Sequence, residues 1–189
     1  MIAICRIAIC GALMATLILP LHAEDTKSAW TPYQSQKWQF CAAIPNDWRA
    51  EEVFDGEVLK VAPKGRGDDG AIITLGAFHN QHGEGEGPVK PLEAIAEDAE
   101  DDLRDSMVRN LKATNQSATV SGLPALITRQ SYLRGDEPFL AKEVRVSRGD
   151  FVVIELVLRA PDAQFADLEP QFDSMVQKQF APTCTKLGK

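Results

Sequence analysis

Histidine and cysteine are scarce in this chain, and their scarcity narrows its chemistry. Among 189 residues there are 3 His and 4 Cys. A nucleophile, a base and an orienting group therefore have few candidates. The sequence also lacks a Gly-x-Ser-x-Gly elbow, a phosphate-binding loop, a His-Glu-x-x-His helix and a dinucleotide fingerprint. Positive charge is short as well. Lys and Arg total 20 against 27 Asp and Glu, for a net charge of −7 and a pI of about 5.0. That balance argues against nucleic acid and against an anionic membrane surface as partners. Aromatic residues are only 7%, yet 44% hydrophobic and 25% charged residues make a globular composition, not a disordered, collagen-like or coiled-coil one.

One long apolar run exists, at the start. Arg6 precedes a stretch from Ile7 to Leu19 broken only by Thr16, and Pro20 and the small residue Ala23 follow. This is the pattern of a secretory signal spanning 1–23, too short to cross a bilayer comfortably as a helix. Its removal takes Cys5 and Cys10 away and leaves a chain with no further hydrophobic segment. The mature protein is expected to be periplasmic or secreted, without membrane insertion. Two cysteines remain, Cys41 and Cys184. In an oxidising compartment an even pair predicts a disulfide. It would close a loop of about 144 residues, worth about 5 kcal/mol in the chain-entropy account.

Residues 24–37 are polar and read as a flexible lead-in, with a single domain over 38–189. Trp38–Ile44, Glu57–Ala62 and Ala71–Phe78 have strand character, and Pro45-Asn46-Asp47 and the Gly/Asp-rich stretch 64–70 are turns. Leu92, Ile95, Ala96, Ala99, Leu103, Met107 and Leu111 recur at spacings of three and four, which predicts an amphipathic helix over Pro91–Leu111. Strands follow at Gln116–Val120, Leu123–Leu133 and Phe139–Val146. The nearly unbroken apolar run Phe151–Leu158 predicts a strand covered on both faces. A second helix starts at Pro161-Asp162, with Pro170 placed to kink or split it. The order β-β-β-α-β-β-β-β-α, with short turns, predicts an α+β fold. It is a single twisted antiparallel sheet of six to seven strands packed with two amphipathic helices.

Four clusters could carry chemistry. His79, His82 and Glu84 share a Gly-rich loop and could hold a divalent metal, although no third histidine or thiolate completes a tight set. The run Glu97-Asp98-Ala99-Glu100-Asp101-Asp102 reads as a solvated helix face, because a rigid helix cannot wrap Ca²⁺. Arg-Gly-Asp occurs three times, from Arg66, Arg134 and Arg148, each time at a turn whose Gly-Asp needs no receptor to explain it. Trp30, Trp38 and Trp48 read as packing residues.

Three short motifs carry a resemblance. They are Phe40-x3-Ile44-Pro45-x2-Trp48, Ser121-Gly122-Leu123-Pro124-Ala125, and the closing stretch Phe172-Asp173-Ser174-Met175-Val176-Gln177-Lys178-Gln179-Phe180. Together with the element order they resemble the PsbP-like fold, shared by PsbP, DcrB-type periplasmic proteins and some Ran-binding factors. The cysteine pair is not part of that pattern. The resemblance implies a non-enzymatic binding or accessory protein (adaptor, chaperone or stabiliser) that engages another protein. No cofactor is expected beyond a divalent metal at the His79–Glu86 loop. The alternatives are an inhibitor or immunity-type protein, and a metal-binding protein or metal-dependent enzyme using the His79–Glu86 loop.

Overall fold

Tight hairpins join most of the strands, and the sheet order follows from them. The computed structural model describes residues 29–64, 70–80, 89–106, 108–149 and 151–184; the expected leader at 1–23 lies outside them. In chain order the elements are β1 (Trp30–Gln34), β2 (Cys41–Pro45), β3 (Trp48–Val53), β4 (Val58–Pro63), β5 (Ile72–His79), α1 (Leu92–Asp105), β6 (Val108–Val120), β7 (Leu123–Arg134), β8 (Glu137–Ser147), β9 (Val152–Pro161), α2 (Asp162–Ser174) and β10 (Phe180–Ala181). The fold is α+β. Seven strands form an antiparallel sheet ordered β3-β4-β5-β9-β8-β7-β6.

α1 carries the chain from β5, inside the sheet, to the far edge at β6. The meander β6-β7-β8-β9 then returns to pair β9 with β5 over eight residues, Ile72↔Arg159 to His79↔Val152. At the β6–β7 turn Ser121 and Gly122 have φ of 51° and 81°. A two-residue turn with both φ positive matches the strand twist, and glycine takes such a conformation without steric cost.

The register assigns the two faces. Val144 and Val146 of β8, Leu156 and Leu158 of β9, and Ile73 and Leu75 of β5 share one face and pack with Phe165, Leu168 and Phe172 of α2. Tyr132 of β7 and Phe139 and Ala141 of β8 lie on the opposite face and pack with Leu103 of α1 and with Val108 and Leu111. β9 is buried on both faces, as its apolar run requires.

A second, three-stranded sheet ordered β1-β2-β10 lies beside the main one. It was not expected. Residues 30–34, read as part of a flexible lead-in, form β1, and Trp30 and Tyr33 pack against the main core. Their polar neighbours and Pro32 hide the strand in the sequence, because an edge strand tolerates both. Tyr33 Oη donates to Glu52 Oε1 of β3 at 3.0 Å, joining the two sheets. Cys41 and Cys184 are disulfide-bonded across 143 residues, and Cys184 N–H donates to Gln39 O at 2.9 Å. The C-terminal strand is thereby fastened to β2.

Helix α1 is shorter than its periodicity predicts. It ends at Asp105 with Ser106 N–H on Leu103 O, and Val108–Leu111 belong to β6. Leu111 keeps helical spacing with Leu103 because both sides of the reversal feed one apolar cluster. Pairing with β7 overrides the pattern, and a bulge between Arg109 and Lys112 takes up the mismatch. α2 runs through Pro170 and continues as a π-helical turn over Met175–Gln179.

Candidate binding groove

Helix α2 packs on β9 and β8 and leaves the β6–β7 end of the same face open. The register places Lys112 and Thr114 of β6 beside Ser131 and Arg129 of β7 on this face. Leu140 of β8 and Phe165 of α2 complete a cleft of about 260 Å³. A second cleft of about 260 Å³ shares Lys112, Ser131 and Leu140 with the first and reaches Pro138 and Asp162. The result is an open groove with a strand floor, an apolar wall and a polar rim.

Charge pairing fixes one side of it. Lys142 is buried on β8, and its Nζ lies 2.9 Å from Glu169 Oε1 and 2.6 Å from Asp173 Oδ1, both on α2. Arg129 also pairs with Glu169. Burial raises the Glu169 pKa, but hydrogen bonds from Lys142 and Arg129 outweigh it and hold the carboxyl below its ordinary value. A depressed folded-state pKa gives stability that is present above the ordinary carboxylate value and is lost as pH falls through the folded one. Glu169→Gln is therefore expected to flatten the fall in stability on acidification. Urea midpoints at pH 7 and pH 3 check this. An equal fall in both proteins would contradict it.

The opposite face carries a buried polar chain. Arg145 is 1% exposed. Its Nη2 donates to Glu143 Oε2 at 2.5 Å, its Nε lies 2.8 Å from Glu155 Oε1, and its Nη1 donates to Thr128 Oγ1 at 3.3 Å. Thr128 in turn donates to Asn115 Oδ1 at 2.7 Å. Burial pushes the Glu143 pKa up, with Arg145 pulling it back. The arrangement braces β6, β7, β8 and β9 against each other.

The residues singled out in the sequence are not in the groove. His79 is exposed at the end of β5, with its ring edge-on to Trp38 at 5.2 Å. His82 and Glu84 lie outside the described residues. Among the described residues no group of three metal-ligating side chains occurs. On the acidic helix Asp98 pairs with Lys90, and Glu100 and Asp101 pair with Arg104, as a solvated face would.

Two of the Arg-Gly-Asp copies have separate structural roles. Arg109 donates to Gly135 O and Asp136 Oδ1, closing the β7–β8 turn, while Arg134 stands 5.8 Å over the Phe139 ring. Arg148 donates to Trp38 O. The first copy and Asp150 fall outside the described residues. Trp38 and Trp48 are core residues, with Trp30 packed against them. The groove itself was missed. Its floor strand is polar, and its first residues read as the end of a helix.

No protein-family model matches the chain, and no curated protein does. Solved structures do. The chain is similar to cyanobacterial PsbP (CyanoP) of Synechocystis, with a TM-score of 0.60 and 12% identity, over 81% of this chain and 92% of that one. It is similar to LpqN, involved in cell envelope biogenesis of Mycobacterium tuberculosis (TM-score 0.55, 17% identity, 82% and 86% covered). It is also similar to the Saccharomyces cerevisiae Ran-binding protein Mog1p (TM-score 0.57, 8% identity, 85% and 98% covered). These likenesses bear out the PsbP-like fold.

Proposed function

We propose that the protein is an exported, non-enzymatic accessory protein that holds another protein in the groove beside α2. The observation that carries this reading is the open strand floor. β6 and β7 present Lys112, Thr114, Ser131 and Arg129 beside the apolar wall of Phe165 and Leu140. A concave surface with polar rim and apolar wall suits a polypeptide. The similar structures lend support: one is named a Ran-binding protein, and another is named for cell envelope biogenesis. Export rests on the leader pattern and agrees with the Cys41–Cys184 bond.

Site-directed photocrosslinking tests the reading in the native envelope. A benzoylphenylalanine at exposed Thr114 is expected to trap a partner protein, while one at exposed Glu93 on α1 traps none. Equal trapping from both sites, or none from Thr114, would contradict it. The same preparation reports export, since the intact mass should correspond to a chain starting at Glu24.

A further inference from the structure

β6 is the terminal strand of the seven-stranded sheet, and among the described residues nothing pairs with its outer edge. Proteins guard such edges with charge, proline, bulges or short length. Here the guards sit at one end only: the bulge between Arg109 and Lys112, and Asn110 with φ 57°. From Lys112 to Val120 nine residues stay in unbroken register with Ser131–Leu123. That stretch holds no proline, no acid and one cation, Lys112. A long, regular edge of this kind is a template for another strand.

From this edge we infer that the groove takes its partner by strand addition: an extended segment of another protein pairs antiparallel with β6. The inference rests on the protein-binding reading above and gives it a mode and a chemistry. Directly opposed residues in an antiparallel pair point to the same face. A residue opposite Thr114 therefore points to the same face as Thr114, where an apolar side chain packs against the threonine methyl across the pair. The residue opposite Lys112 follows two positions later on the same face. Lys112 has no ion-pair partner among the described residues, whereas Arg129 and Lys142 are already paired with Glu169 and Asp173. The cation left over selects an acid. The segment recognised is extended and neutral to acidic, with an apolar residue followed two positions later by Asp or Glu.

The test uses the mature disulfide-bonded chain and three capped nine-residue peptides of Thr and Val. The first carries a central Leu and, two positions on, a Glu. The second has the same side chains with alternate backbone nitrogens methylated. The third has Lys for Glu. The first is expected to bind in the micromolar range, and the methylated one at least tenfold more weakly, because its ladder donors are gone. Lys112→Glu should lose at least tenfold for the Glu peptide and regain it for the Lys peptide. No binding of the first peptide at 1 mM, or binding indifferent to methylation, would overturn strand addition. So would a dimer of the free protein by light scattering that buries β6. Partner trapping from Thr114 alongside either result leaves the groove as a protein site and removes only this mode. Absence of trapping removes the protein-binding reading itself.

Discussion

Arg145→Ala is expected to lower stability by about 3–5 kcal/mol at pH 7, the scale for removing one member of a buried ion network. The size follows from what stays behind. Glu143 is 5% exposed and would lose the guanidinium hydrogen-bonded to it while staying buried. Glu155 and Thr128 would lose their contacts with Arg145 in the same step. The pH dependence separates this cause from simple loss of packing. Burial already raises the Glu143 pKa, so the ionised form disfavours the fold, and that cost appears as pH rises through the folded value. Without Arg145 the value moves further up.

The defect should therefore shrink at acid pH, where Glu143 takes a proton. Arg145→Met combined with Glu143→Gln should recover part of the loss at pH 7. Urea unfolding of the wild type and the two variants at pH 7 and pH 4.5 measures both effects. A defect that is independent of pH and unrelieved in the double variant would show that packing, not the stranded carboxylate, sets the cost.

Reducing the Cys41–Cys184 bond is expected to cost about 5 kcal/mol if chain entropy dominates, because the cysteines lie 143 positions apart in the chain. For a chain of this size that is a fall in Tm of about 10–20 °C. The bond joins β2 to the residue stretch just after β10, so its loss frees the C-terminal strand as well as the unfolded chain. Two readouts divide these effects. Calorimetry of the Cys41→Ala, Cys184→Ala double variant gives the global loss. Protease cleavage near Phe180 reports local release of β10. A fall in Tm below about 3 °C would mean that the small sheet holds itself without the bridge.

Much of the fold is readable in the chain because local and tertiary preferences agree. The apolar run of β9 calls for cover on both faces, and the strand is buried on both, with α2 packed on one of them. The turn at Gly135 and the turn at Gly149 separate β7, β8 and β9 where they were expected. Other elements are hidden because one interaction overrides another. Val108–Leu111 satisfy helical spacing, yet their backbone is claimed by β7. β3 reads Trp-Arg-Ala-Glu-Glu-Val, too polar for a strand unless it is an edge, which it is.

The groove shares this cause. Its donors lie on β6 and β7 while its wall comes from α2, more than thirty residues on. Only the register brings Lys112, Ser131 and Leu140 together. The consecutive polar residues Thr114-Asn115-Gln116-Ser117 and the helix-like start of β6 concealed it.

Hydrogen–deuterium exchange on the protein alone and in its native envelope complex tests the account most directly. The sheet has two edges, β6 and β3. Binding in the groove by strand addition predicts slowed exchange at 112–120 and unchanged exchange along β3 at 48–53. Protection of β3 or α1 with β6 unchanged would contradict the account.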